Sequence, residues 1–249
     1  EEAEVKFRCE RDALVEQLGT ASRAVSSRGG ALPVLTGIHL KAHKDTLTMT
    51  GSDLEITVRA SVAVDVKKSG EAVLPSRIVV DIIRSLDSGA VEVEVSGEEA
   101  KISGGRSQFS VRTLPVDDFP ALSDPSGDQV TVATADLAAG LKQVVRAASG
   151  DDARPILTGV LMSAEDGGLR LVATDSYRLA VRDLPEATVL SEGQKVLVPS
   201  RALDELSRVL GDSEEVNVRL GEREVSFDVS IEDGAVQVTT RLIKANSLI

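Results

Sequence analysis

Several scarcities narrow the field before any motif is sought. Cysteine occurs once in 249 residues, as Cys9, which excludes an internal disulfide and any multi-thiolate metal site and fits a reducing compartment. Aromatic rings are nearly missing. Four Phe, one Tyr and no Trp are too few for a base-stacking platform on single strands or for an aromatic-lined cofactor pocket. No apolar run approaches the ~18 residues of a membrane helix. The N-terminus, with Glu1, Glu2 and Glu4, lacks the basic and apolar regions of a signal peptide, so the expected location is cytoplasmic, with no membrane partner. Positive charge is also short: 28 Lys and Arg against 40 Asp and Glu leave −12, which for the whole molecule repels phosphate.

What is present is a folded chain that repeats itself. Hydrophobic residues make up 42% and charged residues 27%, enough for a buried core, and the length suits two units of roughly 120 residues. PVLTG at 33–37 recurs as PILTG at 155–159, and Ser52-Asp53 recurs as Thr174-Asp175, both offset by 122. LPSR at 74–77 matches VPSR at 198–201, and Gly97 matches Gly221, now offset by 124. Matched blocks in one order with little drift indicate a duplicated structural unit.

Each unit has the same grammar. A β-like opening, Val5 to Arg8 or Val130 to Ala133, leads into a helix with apolar residues at spacings of four, three and four: Leu14, Leu18, Ala21 and Val25, then Leu137, Leu141, Val144 and Ala148. Asp12 and Asp136 stand where an N-cap is expected. Strands follow, including 56–66 and 169–173. A Pro-Ser pair, Pro75-Ser76 or Pro199-Ser200, then opens a second helix. Both units finish in hairpin-like strands, 91–95 in the first and 216–220 with 225–229 in the second, and Asp233-Gly234 is a tight-turn signal. The expected class is α+β, two helices on mostly antiparallel sheet, twice over. The expected domains are 1–120 and 130–249, with a linker at 121–129 inside the Pro-, Asp-, Ser- and Gly-rich stretch 115–129.

Catalytic chemistry finds little support. His39 and His43 lie on one alternating strand, four residues or roughly 13 Å apart, too far to share an ion, and are expected to face solvent. Cys9 reads as a small, buried or half-buried side chain. The glycine pairs at 29–30, 104–105 and 167–168 fit neither a dinucleotide fingerprint nor a phosphate loop. No metal or cofactor is expected. Asp53 and Asp175 carry two readings: a pair of carboxylates acting as acid and base, or aspartates that cap turns through their own side chains.

Charge is unevenly placed. The expected helices, 12–28, 76–86, 136–149 and 200–210, hold eight cations and six acids, a net +2, while the rest of the chain carries −14. Helices sharing one side would make that side electropositive on an acidic molecule; equally, their Arg and Lys could form solvated faces.

Six segments carry a family resemblance: LPVLTGIHL at 32–40, GSDLEI at 51–56, LPSR with the apolar helix after it at 74–86, GGRSQFSVRTLPVDDFP at 104–120, RPILTGVLM at 154–162, and LVATDSYRLA at 171–180. In combination they make the sequence resemble the bacterial DNA polymerase III beta subunit, the replication sliding clamp. The resemblance runs to about Ile243. It implies duplicated DNA-clamp-type domains, a non-enzymatic processivity factor, and two chains joined as a ring around duplex DNA with helices inside. Six units of radius ~14 Å would leave an opening of roughly 30 Å, wider than B-DNA. On this reading Arg28, Arg77, Arg146 and Arg201 face DNA without reading its sequence. A groove for short peptide motifs of the DNA polymerase III catalytic subunit and the clamp loader corresponds to Leu157, Thr174, Ser176, Tyr177, Arg178 and Leu179. Leu157 and Leu179 would form its floor, and Tyr177 and Arg178 its rim.

A family member would continue past TTRLI at 239–243 through an acidic connector into a third domain, whereas this sequence reads KANSLI at 244–249. The expectation is two of three clamp domains. Two alternatives stand beside a processivity factor: a clamp fragment or paralogue that binds protein partners without encircling DNA, and a duplicated-domain enzyme using Asp53 and Asp175.

Overall fold

A computed structural model describes residues 4–26 and 32–244. The chain divides into two compact units, Glu1–Ser123 with Glu232–Val236, and Asp124–Ile231 with Gln237–Ile249.

In the first unit β1 (Val5–Glu10) runs directly into α1 (Arg11–Ser22). β2 (Gly37–His43), β3 (Thr46–Ser52), β4 (Ile56–Ala63), β5 (Asp65–Lys68) and β6 (Gly70–Pro75) follow. Then come α2 (Ser76–Ser85), β7 (Ala90–Ser96), β8 (Glu99–Gly104) and β9 (Ser107–Arg112). The strands pair antiparallel in the orders β5-β1-β7-β8-β9 and β4-β3-β2-β6.

The second unit repeats this with β10 (Gln129–Ala133), α3 (Thr134–Val144), β11 (Gly159–Glu165), β12 (Gly168–Thr174) and β13 (Leu179–Leu184). β14 (Lys195–Pro199), α4 (Ser200–Val209), β15 (Glu215–Leu220), β16 (Glu224–Ile231) and β17 (Gly234–Arg241) complete it. Its orders are β10-β15-β16-β17 and β13-β12-β11-β14, strand for strand those of the first unit apart from the extra β5. The duplication seen in the sequence is therefore a duplication of topology.

Period explains which faces are buried. In α2, Val79, Val80 and Ile83 are buried, and in α4 Ala202, Leu203 and Leu206 are, with Leu203 standing where Val79 does. The second unit's core gathers Leu137, Leu141, Leu171, Leu203, Val216 and Phe227 between its helices and sheets.

Local rules fail where tertiary partners do the same work. Asp12 and Asp136 are not N-caps: Glu10 and Ala133 hold those places, with no side-chain cap bond. The first helical amides are instead taken by carbonyls from the loops before β7 and β15, Arg11 N to Gly89 O at 2.8 Å and Thr134 N to Glu214 O at 2.9 Å. Both aspartates sit in the first turn, where their charge favours the helix dipole. α1 stops at Ser22, short of the expected 28, as the Thr20 and Ser22 hydroxyls bond the Glu16 and Gly19 carbonyls. After α3, residues Val145–Ala147 tighten into a 3-10 turn. The expected strand 56–66 breaks at buried Val64, and its two pieces, β4 and β5, belong to different sheets.

Residues after β9 lie on the first unit. Leu114 N donates to Val73 O at 2.8 Å, and Leu114, Val116 and Phe119 pack against Val34, Leu35 and Val73. Phe119 also lies 5.2 Å from the His39 ring. His39 is consequently drawn in and bonded to Glu71 Oε2 at 2.9 Å, rather than left facing solvent; His43 is exposed. That bond is the chief reason the Glu71 carboxyl lies below the usual range.

Candidate nucleic-acid and peptide interfaces

Arg77 and Arg201 occupy the same place in their units, second in α2 and in α4, directly after Pro-Ser, and both are exposed. Neither helix has an acid in its first turn. A cation there opposes the helix dipole. A helix start with a guanidinium beside it is an end suited to an anion. Arg146 is exposed in the 3-10 turn that follows α3. Arg28 lies outside the described residues.

The expected positive excess on the helices is not there. Within their observed bounds Arg11, Arg77, Arg84, Lys142, Arg201 and Arg208 meet Asp12, Glu16, Asp81, Asp136, Asp204 and Glu205, six against six. Arg208 is further tied to Asp204 and Glu205 at 3.1 and 3.2 Å. Two more arginines sit at helix ends, Arg23 after α1 and Arg146 after α3, because both helices are shorter than the periodicity suggested.

The peptide-groove residues assemble around one turn, between β12 and β13. Asp175 Oδ1 accepts the amides of Tyr177 and Arg178, each at 3.0 Å. Thr174 Oγ1 donates to Arg178 O at 2.7 Å and accepts the Ser176 amide at 3.1 Å. Ser176 takes a positive φ of 78°. Arg178 is not a loose rim residue: its Nε meets Asp175 Oδ2 at 3.1 Å, and its Nη2 donates to the main-chain carbonyl of Arg146. The same stretch reaches Leu157, since Ser149 N donates to Leu157 O at 2.8 Å. Residues 145–149 thus hold Leu157 and the turn to one backbone. Leu157 and Thr174 are half-buried, while Tyr177 is 93% and Leu179 67% exposed. Two open clefts, of about 510 Å³ beside β6 and about 770 Å³ beside β14, contain none of these residues.

The first unit has the matching turn. Asp53 Oδ1 accepts the amides of Glu55 and Ile56 at 3.0 and 2.8 Å, and Leu54 takes φ 74° where Ser176 takes 78°. This decides between the two readings of Asp53 and Asp175 in favour of turn capping. The Tyr177 amide first, and then that of Arg178, hold the Asp175 carboxyl below the ordinary aspartate range, opposite to what a general acid needs. Cys9 is half-buried in β1, and burial pushes its thiol up to about 12, away from nucleophilic use. No cluster of three or more His, Cys, Asp or Glu among the described residues could hold a metal ion. No helix among them is long and apolar enough to cross a membrane.

One cation lay outside any helix-based search. Arg182 is on β13, a strand whose alternation is easily taken for a solvated face.

Comparison with known proteins covers both units. Residues 5–123 match the family described as DNA polymerase III beta subunit, N-terminal domain, and residues 131–247 match its central domain. A beta sliding clamp of Streptomyces coelicolor is 34% identical over 250 residues, covering 97% of this chain and 65% of that protein. One of Micrococcus luteus is 34% identical over 221 residues, covering 88% and 70%. The crystal structure of the Bacillus subtilis DNA polymerase sliding clamp superimposes with a TM-score of 0.88 at 31% identity, over 99% of this chain and 67% of that one. The chain thus spans about two thirds of the length of the relatives it matches.

Proposed function

The chain belongs to the DNA polymerase III beta subunit family, and from that premise we propose that it serves as a non-enzymatic processivity component, holding replication enzymes on duplex DNA. The observation that carries the reading is the repeated Arg77 and Arg201, an exposed cation at the start of the second helix in each unit, against the sense of the helix dipole. Such contacts bind phosphates without reading bases, which is what sliding requires. Arg28 and Arg146 are further DNA-facing candidates in this reading.

The units are taken as 1–120 and 130–249, joined by 121–129. The turn at 174–179 with Leu157 receives short peptide motifs of the polymerase catalytic subunit and clamp loader, with Tyr177 and Leu179 as its exposed apolar contacts. The work is done in the cytoplasm, without a cofactor, and encirclement belongs to a homodimer of the full-length family protein. The test is topological. Loaded as a closed ring in its full-length context, the protein should stay on closed circular DNA and run off linear DNA. Equal retention on both would sink the encircling reading and leave a partner-binding one.

A further inference from the structure

Two arginines on neighbouring strands of the second unit face opposite ways, and their surroundings differ. In the β12/β13 ladder Arg170 is opposite Asp183, and Leu171 is opposite Arg182. Leu171 is fully buried, so its face carries the core and α3, while Arg170 and Asp183 share the other face. There Arg170 is neutralised. Its Nε and Nη2 meet Asp183 at 2.7 and 3.1 Å, and Glu165 stands 3.7 Å from its Nη1.

Arg182 has no such pairing. Its stem lies across α3 at Gly140, where an added Cβ would sit 3.5 Å from Arg182 Cγ, so the glycine leaves the room the stem uses. Its Nε is buried with no hydrogen-bond partner among the described residues. Asp183 feels it only through space, with its carboxylate committed to Arg170 on the far face. The buried Nε is out of reach of any outside ligand, but the guanidinium as a whole is only half-buried and no carboxylate among the described residues is bonded to it, so its charge is left for an external anion to neutralise. It is on the helix-bearing side of the sheet, the side that also presents α3.

We propose that Arg182 is a further phosphate-contacting residue, a strand-borne cation reaching the polyanion from beside α3. This rests on the proposed function, in which helix-bearing faces meet duplex DNA. Binding of the 249-residue chain to a mixed-sequence duplex of about 30 base pairs, followed between about 50 and 200 mM salt, tests it. Arg182→Gln and Arg182→Met both remove the charge, and methionine keeps an apolar stem over Gly140. Each should flatten the logarithmic salt slope by about 0.9, so that affinity falls about 3.5-fold less across that range than in the parent. Arg170→Gln should keep the parent slope. Parent slopes in both Arg182 variants, or an equal flattening by Arg170→Gln, would overturn the assignment to Arg182. A parent chain without salt-dependent duplex binding would instead overturn the phosphate-facing reading itself.

Discussion

Arg178 Nε lies 3.1 Å from Asp175 Oδ2, while the other oxygen of the same carboxylate takes the amides of Tyr177 and Arg178. One charged group therefore fixes both the main chain of the turn and the side chain that reaches Arg146. The Asp175 carboxyl is held below its ordinary value, so its contribution is present in full above ~3.9 and is lost as pH falls through the lower folded value. NMR titration of the Tyr177 and Arg178 amides should show a midpoint below ~3.9. A midpoint at or above it contradicts the geometry. Asp175→Asn, which keeps an acceptor but no charge, should abolish the titration.

Gly51, in β3, is a place where the backbone of α1 comes too close for any side chain. A Cβ there would stand 2.1 Å from Ala21 O. Gly51→Ala should destabilise the first unit by about 3 kcal/mol or more, since a carbonyl cannot rotate aside as a side chain can. Urea unfolding measures it, and a loss under about 1 kcal/mol would show that the helix end yields.

Two isoleucines on α2 separate burial from composition. Ile83 is 1% exposed and Ile78 is 53% exposed. Ile83→Ala should cost about 2 to 5 kcal/mol, and Ile78→Ala about 0.5 or less. Equal losses would mean that the surface at Ile78 is covered in solution.

Leu179 is 67% exposed, so truncating it should leave the thermal midpoint within a few degrees of the parent. If the turn receives peptides, Leu179→Ala should weaken a clamp-binding peptide from the polymerase catalytic subunit by about tenfold. Unchanged affinity in the full-length protein removes Leu179 from the contact.

Cys9, with its thiol near 12, should react with a disulfide reagent at pH 8 at least a hundredfold more slowly in the folded chain than after denaturation, following the thiolate fraction. Rapid native labelling would show that β1 opens locally.

The sequence made the duplication legible because the matched blocks sit at strand and helix starts, where Pro, Ser, Gly and Asp are dictated by backbone geometry. The second helix of each unit starts where expected, but α1 and α3 start one and two residues earlier than Asp12 and Asp136 suggested, because carbonyls remote in sequence, of Gly89 and Glu214, take the Arg11 and Thr134 amides. The end of α1 was overrun because Val25 continues the apolar period after the Thr20 and Ser22 hydroxyls have turned the chain. His39 looked solvent-facing because its cover, Phe119, arrives eighty residues later. The turn at Asp175 was legible as a turn, but not the grip of Arg178 on the Arg146 carbonyl, which depends on where the 3-10 segment after α3 lies. Arg182 was missed since strand periodicity says which residues share a face, not which face carries the helices.

The aspartate turns at 53 and 175 are wired alike, yet Glu55 and Ile56 occupy one where Tyr177 and Arg178 occupy the other. What the two share is main-chain amides held by one carboxylate, which leaves the displayed side chains free to differ; only at 175 does a side chain, that of Arg178, join the same carboxylate. Each turn is in effect a socket with exchangeable inserts. Duplication leaves the molecule two such sockets, so the insert of one can change without unmaking the other.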